Sequence, residues 1–103
     1  MQVTVVAERE VAPGSQESVK GLLRELRYRA SRQPGFMSGM TAIDPRKPAR
    51  FLTVCVWSSL GNWERWERNP DRLEVTRQIE GLLNGKAAVE VWAMHEDAPV
   101  AAV

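Results

Sequence analysis

Asn62, Trp63 and Trp66 are the residues whose types and spacing could do chemistry together. Asn62 and Trp66 are four apart and Trp63 and Trp66 three apart, so on a helix each pair shares a face. A tryptophan wall can hold a flat organic molecule. An asparagine amide beside it can donate to an oxygen that gains negative charge. Three of the four tryptophans fall in the ten residues from Trp57 to Trp66, and the fourth is Trp92. The competing reading makes them core, the usual fate of large aromatics at helical spacing beside a sheet. Trp63 fits packing better than Trp66 does. Both are kept as candidate substrate-pocket residues, with Asn62 and Trp66 as candidate catalytic ones.

Two further side chains could assist. Arg72 lies three residues before Val75 on an apolar stripe. It could reach a pocket and stabilise an enolate or carboxylate, or it could snorkel to solvent. His95 has the only side chain that titrates near neutrality unperturbed, but it stands close to a loosely patterned tail. Cys55 lies in an apolar run and reads as a small buried hydrophobe. One cysteine and one histidine cannot build a standard zinc or iron site, so no metal is expected. There is no phosphate-cradling or dinucleotide glycine motif.

The chain around these residues has 103 residues, 44% hydrophobic and 26% charged, with a formal net charge of +1. Those values describe one ordinary globular domain, expected over residues 1–96, with a flexible tail at 97–103. The near-zero charge argues against nucleic-acid binding by bulk attraction. The N-terminus lacks the pattern of a signal peptide. No run approaches the roughly 18 apolar residues of a membrane span, so neither membrane nor nucleic acid is an expected partner. The lone thiol excludes an intrachain disulfide framework and suits a cytoplasmic setting.

The elements that must position the candidates can be read in order. Val3 to Ala7 is a short β-branched strand. Pro13-Gly14 breaks the chain, and Ser15 is a candidate helix N-cap. Val19, Leu22, Leu23, Leu26 and Ala30 recur at helical spacing and predict a helix from about Gln16 to Arg32. Lys20, Arg24 and Arg29 mark its solvated face. Pro34-Gly35 ends it. Phe36 to Ile43 and Phe51 to Trp57 form a hairpin around the turn at Asp44 to Pro48. Ser58 or Ser59 can cap the tryptophan-bearing helix. Asn69-Pro70-Asp71 predicts a break and a fresh helix start. Val75, Ile79, Leu82 and Leu83 then form a stripe ending at Asn84-Gly85, and Ala87 to Met94 is the last strand. Gly35 and Gly39 suit a turn and a bulge or close contact.

The order β-α-β-β-α-β predicts a ferredoxin-like α+β sandwich with both helices on one sheet face. The strands are apolar on both parities: Val54 and Val56 on one, Phe51, Cys55 and Trp57 on the other. Two helices cover one face only, so the other predicts a homodimer packed sheet against sheet.

Three stretches resemble the antibiotic biosynthesis monooxygenase family. They are Arg27-Tyr-Arg-Ala-Ser-Arg-Gln-Pro-Gly-Phe-Met-Ser-Gly39, Leu52-Thr-Val-Cys-Val-Trp-Ser-Ser-Leu-Gly-Asn-Trp-Glu-Arg-Trp66, and Arg72 with Ile79-Glu-Gly-Leu-Leu83 and Glu90-Val-Trp92. The resemblance spans about residues 2 to 94. It implies a ferredoxin-like subunit and a dimeric α/β barrel. That family includes cofactor-independent oxygenases of anthrone-like polyketides and quinols, and also heme-degrading enzymes. The heme-degrading branch needs an asparagine on the first strand, a tryptophan on the second helix and a later histidine. Only Trp66 matches; the first strand offers Ala7, and no histidine occurs between residues 59 and 86. The polyketide-oxidising branch pairs an asparagine with a tryptophan one turn later, as Asn62 and Trp66 do here.

The resemblance therefore implies a cofactor-free monooxygenase acting on a small aromatic, quinol or anthrone-like compound. The alternatives are a non-catalytic small-molecule-binding or stress-responsive barrel, and heme binding without degradation.

Overall fold

In the computed structural model, residues 1–95 are described; the tail at 97–103 lies outside them. The chain orders as β1 (Val3–Glu10), α1 (Gln16–Ser31), β2 (Phe36–Ile43), β3 (Arg50–Trp57), α2 (Leu60–Glu67), α3 (Pro70–Glu80) and β4 (Ala88–Ala93). The sheet is antiparallel throughout, in the order β2-β3-β1-β4. This is the ferredoxin-like α+β arrangement, its second helical region split in two. None of the described helices is long and apolar enough to cross a membrane.

The split has a local cause. Asn69 caps α3, its side chain accepting from the Asp71 backbone N–H, and Pro70 occupies the first turn. Ser59, rather than Ser58, caps α2 by accepting from the Asn62 N–H. Ser15 stands at the start of α1 but makes no side-chain cap bond. Its backbone N–H instead closes the Pro13-Gly14 turn onto Ala12 O at 3.0 Å, with Gly14 at φ 81°. Arg29 is no free surface cation: it meets Glu25 at 2.8 Å on its own helix and Glu74 at 3.1 Å on α3.

β1 runs to Glu10, three residues beyond the expected end at Ala7, because it pairs with β3 along its whole length from Val3↔Trp57 to Glu10↔Arg50. Its buried parity is Val3, Val5, Ala7 and Arg9. Two apolar clusters form under the helices. One gathers Val3, Val5, Ala30, Trp57, Trp63 and Trp66. The other gathers Val11, Val19, Leu23, Phe51, Val75 and Ile79. Leu26 packs against both. Arg9 enters between them, in place of an apolar residue.

The helices leave β4 uncovered. Every residue of β4 is exposed. Val89 and Val91 share the helix-side parity, being paired with Ala7 and Val5, yet are about as exposed as Met94, at 41% and 42%. Trp92, paired with Thr4 on the opposite parity, is 58% exposed.

Candidate functional site

A cavity opens between the helices and the sheet where the two apolar clusters part. Its aromatic walls are Phe36, Trp63 and Trp66, with Val5, Leu23, Leu26 and Ala30 among the apolar lining and Met40 and Val54 at its edge. The room for the centres of water-sized spheres is about 70 Å³. A cavity of about 150 Å³ is needed to seat a whole benzene ring, so a ring bound here extends from this space toward the open mouth.

The aromatic wall is built outward from Trp57. Trp57 is fully buried, meets Phe36 edge-on at 5.3 Å, and has Trp63 and Trp66 each at 6.2 Å. Trp66 stacks on it at 28° between ring planes. Trp63 and Trp66 are both only 4% exposed. They are thus core and cavity wall at once, which joins the two readings open at the sequence level.

Three arginines face this apolar space: Arg9 from β1, Arg27 from α1 and Arg72 from α3. Arg9 is the one buried charged side chain among the described residues. Its Nη1 donates to Thr53 Oγ1 at 3.0 Å. Burial, and after it the charge of Arg72, pulls the Arg9 guanidinium below its ordinary pKa. The Arg72 guanidinium lies 5.2 Å from the Trp63 ring centroid, and its Nη1 donates to Glu67 O at 3.1 Å. Burial lowers its pKa as well. No Asp or Glu among the described residues lines the cavity. Among the described residues none of the three arginines makes an ion pair.

Cys55 also lines it, accepting from Trp57 Nε1 at 3.4 Å. Burial pushes its thiol above the ordinary range, so it stays protonated at neutral pH and is a poor nucleophile. Among the described residues no cluster of three or more His, Cys, Asp or Glu is placed to hold a metal.

Of the residues singled out by sequence, Trp63, Trp66 and Arg72 line the cavity; Asn62 and His95 do not. Asn62 turns its amide the other way. Its Nδ2 donates to Ser58 Oγ at 2.9 Å, and its Oδ1 accepts from Arg65 at 2.6 Å. The amide lies over Gly35, where an added Cβ would stand 2.3 Å from Nδ2. His95 is exposed beyond the end of β4. Arg9 and Arg27 were missed. Arg9 had a legible signal, because it continues the parity of Val3, Val5 and Ala7. Arg27 had a weaker one, four residues after Leu23 and three before Ala30.

Gly39 earns its place beside Arg27. A Cβ there would lie 3.2 Å from Arg27 Cδ and 3.2 Å from Phe36 Cζ. The expected bulge on β2 occurs elsewhere, between Phe36 and Ser38.

The sequence profile of the antibiotic biosynthesis monooxygenase family matches residues 2–78. The chain belongs to that family. Solved structures share the fold. SnoaB, a cofactor-independent oxygenase from Streptomyces nogalater, aligns over 96% of this chain and 98% of its own, with a TM-score of 0.84 and 18% identity. Rv0793 from Mycobacterium tuberculosis aligns over 96% of this chain and 100% of its own, with a TM-score of 0.84 and 19% identity. A conserved protein from Methanosarcina mazei Go1 aligns over 89% and 91%, with a TM-score of 0.84 and 15% identity. Identities this low establish the fold alone. A search of curated protein sequences returns no significant match.

Proposed function

We propose that this member of the family is a cofactor-independent monooxygenase of a small aromatic, quinol or anthrone-like compound. The observation that carries the reading is the aromatic cavity faced by Arg9, Arg27 and Arg72 and, among the described residues, by no carboxylate. Such a reaction needs an electron-rich ring held out of water and a positive environment for the oxyanion left by deprotonation. Trp63, Trp66 and Phe36 supply the first and the arginines the second. The resulting carbanion or phenolate reduces molecular oxygen by one electron. The organic radical and superoxide then combine to form a C–O bond. Collapse of the peroxide leaves one oxygen atom as a ring carbonyl and releases the other as water, so a CH2 and O2 become C=O and H2O. A ring held there extends toward the open mouth, where the remainder of a larger substrate lies.

Asn62 enters this scheme as a positioning residue. Its amide rests over Gly35 and is held by Ser58 on the turn into α2, the helix that carries Trp63 and Trp66. An oxygen electrode with quinols and anthrones tests the reading. Oxygen uptake is expected, and Arg72→Ala is expected to lower kcat/KM at least tenfold through loss of a transition-state charge contact. Asn62→Ala is expected to lose less. An equal loss at unchanged Tm would put the Asn62 amide in contact with the substrate. Tight ligand binding without oxygen consumption selects the non-catalytic barrel instead, and a Soret band on hemin titration selects heme binding.

The working unit in this proposal is a homodimer. Val6, Leu52, Val54 and Val56 on the outer sheet face are only half-buried, and Met40 and Trp92 on the same parity are exposed. A contiguous apolar sheet face of this kind needs a cover. Sedimentation at micromolar concentration is expected to give twice the subunit mass of 11.6 kDa; a monomer removes the dimer from the scheme.

A further inference from the structure

We propose that the cavity selects its aromatic ligand as an oxyanion, holding an ionised ring hydroxyl between Arg9 and Arg72. This rests on reading the cavity as the substrate site and adds the charge state in which the substrate is bound.

The charged and titratable groups facing the space come from four elements: Arg9 on β1, Arg27 on α1, Cys55 on β3 and Arg72 on α3. The lining contributed by β2 and α2 is uncharged. Three cations thus meet one apolar gap that, among the described residues, no carboxylate lines; Glu80, acting on Arg9 and Arg72, and Glu67, acting on Arg72, stand outside the lining. Arg29 and Arg50, on the surface, each hold more than one acid. The cavity arginines are left unpaired at a place where burial makes an unpaired charge costly. Arg9 is only 6% exposed, and a single Thr53 hydroxyl uses one of its five donors.

A neutral ring would leave those donors and the mutual repulsion of Arg9 and Arg72 as they are. An anionic oxygen answers both. The arginines line the same space as the aromatic walls, so the charge belongs directly on the ring. One cation within about 4–6 Å shifts a hydroxyl's ionisation by roughly 1–3 units, hence tenfold or more in preference for the anion.

Anaerobic titration with para-nitrophenol, whose phenol and phenolate differ in absorbance, tests this without any turnover. The protein is expected to bind the phenolate at least ten times more tightly than the phenol, so the bound ligand ionises at lower pH than the free one. The methyl ether, para-nitroanisole, is expected to bind as weakly as the phenol. Arg72→Gln is expected to remove most of the preference and Arg72→Lys to keep part of it, with circular dichroism confirming that both variants fold. Arg9→Gln is expected to act in the same direction where it folds. Equal affinity for phenol and phenolate in the native protein, or an unchanged preference in Arg72→Gln, overturns the proposal. Failure of the oxygenase reading looks different: phenolate selectivity persists while quinols consume no oxygen.

Discussion

Replacing Trp66 by alanine is expected to lower the unfolding free energy by about 3–5 kcal/mol, the range for removing a buried large aromatic. That is a sizeable part of a typical domain's stability. Trp66 is almost wholly buried and stacks on Trp57, which in turn holds Phe36 and Trp63. Alanine would remove the second layer of that stack and join its volume to the cavity. The surrounding rings are braced by strand and helix and can collapse only partly into the space. Trp66→Phe keeps a ring in the stack and is expected to cost well under half as much. Chemical denaturation measures both. The phenylalanine variant, being folded, also separates packing from function: ligand affinity is expected to fall as the wall recedes. A loss below about 1 kcal/mol in Trp66→Ala would mean that the stack does not brace the fold.

The elements were legible where local chemistry and periodicity agreed. Phe36–Ile43 was readable to the residue because Pro34-Gly35 and Asp44-Pro45 bound it. The split between α2 and α3 followed from Asn69-Pro70-Asp71, whose capping role is a matter of adjacent residues. Ser15 does stand at the N-cap of α1, its carbonyl accepting from the Val19 N–H, although its side chain makes no cap bond. The end of β1 was misread because Glu8, Arg9 and Glu10 are polar, while their strand pairing depends on a partner more than 40 residues away.

The site was half legible for the same kind of reason. Trp63 and Trp66 announce themselves by type and helical spacing. Arg9 does not, because one basic residue on a strand ordinarily points to water. Only the continuation of the Val3, Val5, Ala7 parity shows that it points inward. Asn62 shares a helical face with Trp66 in projection, yet residues four apart on a helix also differ in the neighbour each meets. Trp66 meets Trp57, whereas Asn62 meets the turn before β2.

That last contact predicts the response of Gly35. The turn Gln33-Pro34-Gly35-Phe36 is closed by Phe36 N–H to Gln33 O at 3.3 Å, with Gly35 at φ 89°. Proline second and a positive-φ glycine third is the type II pattern. Gly35 O also accepts from the Ser58 N–H at 2.8 Å, tying the turn to the start of α2. Gly35→Ala therefore meets two obstacles. Positive φ costs an L-residue about 1–2 kcal/mol, and the new methyl would overlap Asn62 Nδ2, Cγ and Cβ at 2.3, 2.5 and 2.7 Å. A total destabilisation of about 2–5 kcal/mol is expected, since overpacking alone typically costs about 1–3 kcal/mol. Adding Asn62→Ala should clear Nδ2 and Cγ but neither the Cβ overlap nor the backbone strain, so the double variant is expected to recover about 1–2 kcal/mol relative to additivity. Strict additivity in that denaturation cycle would mean that the Asn62 amide does not rest on Gly35. Its assignment as a positioning residue for the tryptophan helix would then fail with it.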